Sequence, residues 1–176
     1  MHSQPPRPLP LVHRRERSNG DRSEAHEGDA VPLMVYAARI GTRDPHALNI
    51  TRKSAKGDGL AFAPSWRILR VALDARAVHD MAARNLVGID TPTAAAMREA
   101  EAARWAEAWA TYSEAYVEEM RQSYRENRGA WERLLARERV VCVCFCVSPT
   151  ECHRHLLGAT ILPRLGAVWR GELGAK

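Results

Sequence analysis

The sequence has 176 residues, of which 45% are hydrophobic, and a formal net charge of +5 at neutral pH. A chain of this length is expected to form one domain with an ordinary core. No apolar run approaches the roughly 18 residues of a transmembrane helix, and the polar N-terminus lacks the hydrophobic segment of a secretory signal. These features argue against a membrane partner and predict a soluble, cytoplasmic protein.

The charge balance differs between the first 30 residues and the rest of the chain. Residues 1–30 contain five arginines and five acidic residues, so the positive excess belongs to the remainder. Lysine occurs only at Lys53, Lys56 and Lys176, so arginine supplies most of the positive charge. Because the guanidinium fork suits phosphate and carboxylate groups, an anionic small molecule is the expected partner, with a nucleic acid as the alternative. The oligomeric state is not indicated.

Residues 1–30 combine prolines and mixed charges with almost no hydrophobic periodicity. Such a segment buries too little apolar surface to offset the entropy lost on ordering. We therefore predict a disordered Pro/Arg-rich tail over residues 1–30 and a single α/β domain over residues 31–176.

The domain is expected to begin with two strands and to continue with helices. Apolar, partly β-branched runs bounded by glycine or polar residues are typical of strands, and a serine after an Ala-Pro step is a plausible helix N-cap. In chain order the predictions are a buried strand at 33–40, a short strand at 47–51, a polar loop at 52–59, an N-cap at Ser65, and helical pieces at 66–71 and 75–84.

A long amphipathic helix is predicted over residues 92–127, with Pro92 in its first turn and Gly129 as its stop. Large side chains recur along it at steps of four and three, which places them on one helix face. Core packing is the better interpretation of this stripe, and a platform for stacking bases is the alternative. The stripe consists of Trp105, Trp109, Tyr112, Tyr116, Met120 and Tyr124.

The C-terminal part predicts a helix at 130–137, a fully apolar strand at 140–145, a helix at 152–165 and an edge strand at 166–169. A continuous β-branched apolar run is typical of a central parallel strand. The fold class is therefore α/β, with a small, mainly parallel sheet flanked by helices. Ligands of such sheets gather beyond the carboxyl ends of the strands, where residues 146–154 are expected to lie.

All four cysteines lie between Cys142 and Cys152, which is unlike a disulfide framework and typical of a reducing compartment. Cys142, Cys144 and Cys146 alternate, so they share one face of the strand, and Cys142 is expected to be a small core residue. Cys152 is expected in the first turn of the next helix, where the helix dipole and Arg154 favour its thiolate.

The leading interpretation is an enzyme-like domain with a cysteine and arginine site for a phosphate-bearing small molecule such as a nucleotide. Cys152 is the candidate nucleophile, Cys146 its partner thiol and His153 a candidate acid or base. The predicted anion-binding residues are Arg154 and three residues that follow the second strand, Arg52, Lys53 and Ser54.

Three alternatives stay open at this point. A zinc-stabilised interaction domain would use Cys144, Cys146 and Cys152 together with His153 or His155 as metal ligands. A nucleic-acid-binding module would use the basic excess, although no long Lys/Arg run is present. In the third alternative the cysteines only pack in the core.

The pattern CFC-VSPTE-CHRHLL, followed by LGAVWRGEL, resembles the family called "domain of unknown function 488". LNITRKS, FAPSW and YVEEMRQSYRENRGAWERLL are similar to a phage- and actinobacterium-type branch of that family. The resemblance spans residues 33–173, and Cys152-His153-Arg154 is its most specific piece. It implies a soluble α/β protein with Cys146 and the Cys-His-Arg residues in the family's defining loop and residues 51–54 in its polar segment. It implies no particular reaction.

Overall fold

A four-stranded, all-parallel sheet forms the centre of the computed structural model, which describes residues 31–174. The strands are β1 (Met34–Arg39), β2 (Ala47–Asn49), β3 (Arg139–Cys144) and β4 (Val168–Glu172), in the order β2-β3-β1-β4. The predicted α/β class and the central position of the apolar third strand are confirmed. The predicted tail at 1–30 lies outside the described residues, and the domain boundary there stays a prediction.

A 3-10 helix (Gly57–Phe62) and three α-helices connect β2 to β3: α1 (Trp66–Asn85), α2 (Pro92–Glu126) and α3 (Arg128–Leu135). The long helix is confirmed, and Thr91 caps it by accepting a hydrogen bond from the Ala94 backbone N–H at 3.1 Å. The two helical pieces predicted between 66 and 84 are one continuous helix, since neither Gly nor Pro interrupts residues 72–74.

Two predicted helix signals act differently in the structure. Ser65 occupies the N-cap position of α1, but its hydroxyl bonds the carboxylate of Glu119 on α2, and its N–H donates to the same carboxylate at 2.8 Å. The predicted stop at Gly129 is wrong: the break lies at Asn127, and Gly129 belongs to α3. Asn127 has φ −112° and ψ 38°, outside the helical region, so it ends α2 without a left-handed glycine.

The main hydrophobic core lies between one face of the sheet and the helices. Tyr116 and Trp131 are fully buried there, and the Tyr116 hydroxyl donates to the Phe62 carbonyl oxygen at 2.7 Å. The predicted packing role of the α2 stripe is therefore confirmed for its inner part, while Trp109 and Tyr124 are only partly buried. A smaller cluster, containing Val141 and Val143, lies on the opposite face because successive strand residues alternate.

The segment predicted as one helix at 152–165 has three different helical pitches. A short α-helix, α4 (His153–His155), continues as a π-helix (Leu156–Ile161) and then as a 3-10 helix (Leu162–Leu165). Gly166, at φ 90°, ends it, and the chain then enters edge strand β4 beside β1. In the described part of the chain, no helix is long and apolar enough to cross a membrane.

Candidate metal centre and adjoining cleft

Four side chains with soft or borderline donor atoms converge where β3 ends. Cys144 is the last residue of β3, Cys146 lies in the following loop, Cys152 is the N-cap of α4, and His153 begins that helix. The Sγ atoms of Cys144 and Cys146 are 3.4 Å apart, and Cys144 Sγ is 3.9 Å from His153 Nδ1. All four donor atoms lie within 4.8 Å of one another. This group is called the Cys3His cluster below.

The orientation of the His153 ring is set by a backbone contact. Its Nε2 lies 3.1 Å from the carbonyl oxygen of Ile50, which directly follows β2. Because a carbonyl oxygen only accepts, Nε2 carries the proton, and the lone pair of Nδ1 faces the thiols. Burial lowers the pKa of His153, which keeps the ring neutral. A neutral imidazole held in this way is the form that binds a metal ion.

The thiols of the cluster differ in their acidity. Hydrogen bonds from Cys144 and then from Cys152 lower the pKa of Cys146, whereas the contact with Cys146 raises the pKa of Cys144. Burial raises the pKa of Cys152, which is 1% exposed. The neighbouring thiols thus favour the charged form of Cys146, and burial disfavours that of Cys152. Cys142 lies in the core outside the cluster, and burial raises its pKa to about 12.

Arg154 braces the loop from a fully buried position. Its Nη1 donates to the Cys146 carbonyl oxygen at 2.9 Å and to Cys152 Sγ at 3.5 Å. Its Nε and Nη2 donate to the two carboxylate oxygens of Glu172 on β4, at 3.1 and 2.8 Å. The fork that the sequence assigned to an anionic ligand thus holds an anion of the protein itself.

The other predicted anion-binding residues lie in the turn after β2. Ser54 Oγ bonds Thr51 Oγ1 at 2.6 Å and Asn49 Nδ2 at 3.0 Å, so its hydroxyl stabilises this turn. Lys53 is exposed and Arg52 is partly buried. Within residues 31–174, neither of them forms a hydrogen bond or ion pair with the Cys3His cluster. The structure brings the end of β2 to the cluster through Ile50, and not through these side chains.

A cleft of about 330 Å³ opens beside the cluster. One side consists of Cys146, Cys152 and His153. The remaining walls come from α1, from α2 and from the loop between β3 and α4; these lining residues are Leu69, Ala72, Leu73, Arg76, Asp80, Trp105, Trp109, Tyr112, Phe145, Val147, Ser148 and Glu151. The cluster therefore borders a concave surface of the size that small molecules occupy.

The sequence matches the model of one known protein family. The family model described as "Active DUF488-N3 subclade" matches residues 48–165, which extend from β2 to the end of the 3-10 helix. The chain belongs to the DUF488 family. The match includes the whole Cys3His cluster and confirms the resemblance to the family. No curated protein and no solved structure matches the chain.

Several cleft residues of this DUF488 domain were not predicted as site residues. Glu151 accepts hydrogen bonds from Trp105 Nε1 at 2.7 Å and from Arg76 at 2.6 Å, and the Arg76 guanidinium lies 4.9 Å from the Trp105 ring centre. Trp109 and Tyr112 of the α2 stripe also line the cleft. The length of the aromatic stripe along α2 was the available sequence signal for Trp109 and Tyr112. The contact of Arg76 on α1 with Glu151 joins distant parts of the chain, and no sequence pattern indicates it.

The residues that could hold a metal ion in the structure agree only in part with the predicted candidates. His153 completes the DUF488 cluster, as one of the two histidines considered. The other, His155, packs edge-on against Trp169 on β4, with ring centres 5.5 Å apart. Neighbouring residues on a helix point in different directions, so only one of the two imidazoles can face the thiols.

Proposed function

We propose that this DUF488 domain binds a transition metal ion through Cys144, Cys146, Cys152 and His153 and presents it to a small molecule in the adjoining cleft. The observation that carries the proposal is the convergence of the four donor atoms within 4.8 Å. Three thiolates and one imidazole are a common zinc ligand set, and a tetrahedral site holds its donors just under about 4 Å apart. Zinc is therefore the expected metal.

Two surrounding contacts support a metal centre over simple packing. The Ile50 carbonyl oxygen fixes the His153 ring with Nδ1 toward the sulfur atoms. The Arg154 guanidinium lies 3.5 Å from Cys152 Sγ, where it balances part of the negative charge that three thiolates bring. Such contacts orient ligands and tune their basicity in metal sites.

A thiol-dependent enzyme is the second candidate, and one observation favours it. Cys146 is the most accessible of the four cysteines, borders the cleft and has a lowered pKa. In that case Cys146 would be the nucleophile and His153 a nearby base. The two candidates exclude each other. A cysteine sulfur bound to zinc is no longer a free thiolate, and an imidazole nitrogen bound to zinc is no longer a base.

Phosphate or nucleotide recognition by Arg154, Arg52, Lys53 and Ser54 stays a prediction, and so does nucleic-acid binding. Titration with inorganic phosphate tests the first, and the salt dependence of any DNA or RNA binding tests the second. Arg154 is paired with Glu172, so we expect weak phosphate binding at most.

The proposed metal centre is tested by measuring metal content in matched cysteine variants of the full chain. Wild type and Cys142→Ala, a core cysteine outside the cluster, should each contain one zinc per chain. Cys144→Ser and His153→Gln should lose it. Where a variant fails to fold, cobalt substitution of the wild type gives a second measurement, since tetrahedral thiolate ligation produces intense visible bands. Equal metal content in all variants, or colourless cobalt protein, would overturn the proposal.

A further inference from the structure

The cleft beside the Cys3His cluster has one wall made of aromatic rings. Trp105, Trp109 and Tyr112 follow each other along α2, with ring centres 6.2 and 5.4 Å apart and planes inclined by 32° and 27°. Trp109 lines the cleft and is only partly buried. The exposed part of Trp109 offers an aromatic surface on which another flat ring packs favourably.

Another part of the cleft is apolar as well. Leu69 and Leu73 of α1 line it, and the loop after β3 adds Phe145 and Val147, which are 52% and 75% exposed. Exposed large apolar side chains at the mouth of a cleft indicate a surface that another molecule covers. A cleft lined by aromatic and aliphatic side chains favours a planar, weakly hydrated ligand.

The charges at the mouth of the cleft do not favour an anion. Arg76 is the one Lys or Arg among the described lining residues, and it already pairs with Asp80 at 2.8 Å and Glu151 at 2.6 Å. Two carboxylates thus surround one guanidinium. A phosphate would compete with both for Arg76, whereas an uncharged molecule meets no such barrier.

Tyr112 lines the cleft and carries a buried polar atom. Tyr112 is 5% exposed, and within the described residues its buried hydroxyl has no hydrogen-bond partner. A buried unpaired hydroxyl is unfavourable, and a plain hydrocarbon ring would leave it unpaired. A heterocycle with ring nitrogen or exocyclic oxygen would satisfy it.

We infer that the cleft binds an uncharged planar heterocycle of the nucleobase class, stacked on Trp109 and hydrogen-bonded to the Tyr112 hydroxyl. Because it names the ligand of the same cleft, this inference rests on the proposed function. It differs from the nucleotide expected from the sequence in the part that is recognised, which is the ring and not the phosphate.

Calorimetric titration of the full chain with adenosine, guanosine, cytidine and uridine, and with their 5′-monophosphates, tests the inference. At least one nucleoside should bind, and its monophosphate should bind no more tightly. Trp109→Leu and Tyr112→Phe should each weaken binding about tenfold or more. Trp66→Leu, which removes an indole outside the cleft, is the matched control and should bind like wild type.

Three results would overturn the inference: no nucleoside binds, a monophosphate binds at least tenfold more tightly than its nucleoside, or Trp109→Leu binds like wild type. Metal content measured on the same samples separates it from the proposed function. Zinc-containing protein that binds no nucleoside overturns only the inference. Metal-free protein that binds one overturns only the proposed metal centre.

Discussion

Tyr112 and Tyr116 lie one helical turn apart on α2, stack with ring planes inclined by 11°, and differ in their hydroxyl contacts. The Tyr116 hydroxyl donates to the Phe62 carbonyl oxygen, whereas that of Tyr112 has no partner among residues 31–174. Tyr116→Phe should therefore lower the free energy of unfolding by about 1–2 kcal/mol, and Tyr112→Phe should leave it unchanged or slightly raise it. Urea unfolding measures both, and equal losses would show that the Tyr112 hydroxyl has a partner within the protein.

The ion pair between Arg154 and Glu172 is the second residue-scale feature that can be tested by substitution. Glu172→Gln leaves the fully buried guanidinium without its counterion, so the free energy of unfolding should fall by about 3 kcal/mol or more. The control is Glu132→Gln on α3, whose partner is Arg128 and whose pair is more than half exposed. It should change stability by about 0.5 kcal/mol at most. Similar effects in both variants would mean that Arg154 is solvated and does not brace the loop.

The sequence indicated which residues of the Cys-His-Arg segment are functional candidates, but not the role of each one. Chemistry identified Cys146, Cys152 and His153 as functional candidates, and the structure brings them together. Their division of labour depends on distant residues. Arg154 pairs with Glu172, which is 18 residues away on strand β4, and His153 is oriented by Ile50, which is 103 residues away. No local pattern encodes either contact.

At the scale of elements, Gly158 and Gly129 have opposite environments. Gly158 lies in the π-helix directly against the Trp169 ring, where a Cβ atom would overlap the indole. Gly129 lies in the first turn of α3, where a Cβ would meet only the flexible end of Arg133, at 3.2 Å. Gly158→Ala should therefore cost about 2 kcal/mol or more, and Gly129→Ala should stabilise by a few tenths of a kcal/mol.

Thermal unfolding of the two glycine variants beside the wild type checks this expectation. The Gly129→Ala result also tests the position of the helix break. If Gly129 ended α2 in a left-handed conformation, the substitution would lower the stability of the protein. A loss of stability there would restore the stop predicted from the sequence. Stability in Gly158→Ala equal to that of the wild type would mean that Trp169 lies elsewhere.

The elements were predictable where their pattern is long or compositionally extreme. The α2 periodicity and the apolar run of β3 each identified their element within one or two residues. The mixed pitch at 153–165 was not predictable, because no local pattern in this segment signals it. The break at Asn127 was also missed, since asparagine is a weaker stop signal than the glycine two residues later.

At the scale of the whole molecule, the position of the site followed from a general rule and its shape did not. Ligand sites of parallel sheets lie beyond the carboxyl ends of strands, and the Cys3His cluster lies at the end of β3. The cleft, however, forms between α1, α2 and the loop after β3. These three segments are distant in sequence, so neither the aromatic wall of the cleft nor its paired charges could be predicted from the sequence.

The presence of a metal ion in the Cys3His cluster can be tested by measuring metal content and thiol accessibility together, on the full chain purified without a metal-affinity tag. We expect one zinc per chain and no rapidly reacting thiol in the native protein, with all four cysteines reacting after denaturation in chelator. Metal-free protein in which a single thiol, Cys146, reacts rapidly at neutral pH would contradict the metal centre and favour the thiol-dependent enzyme.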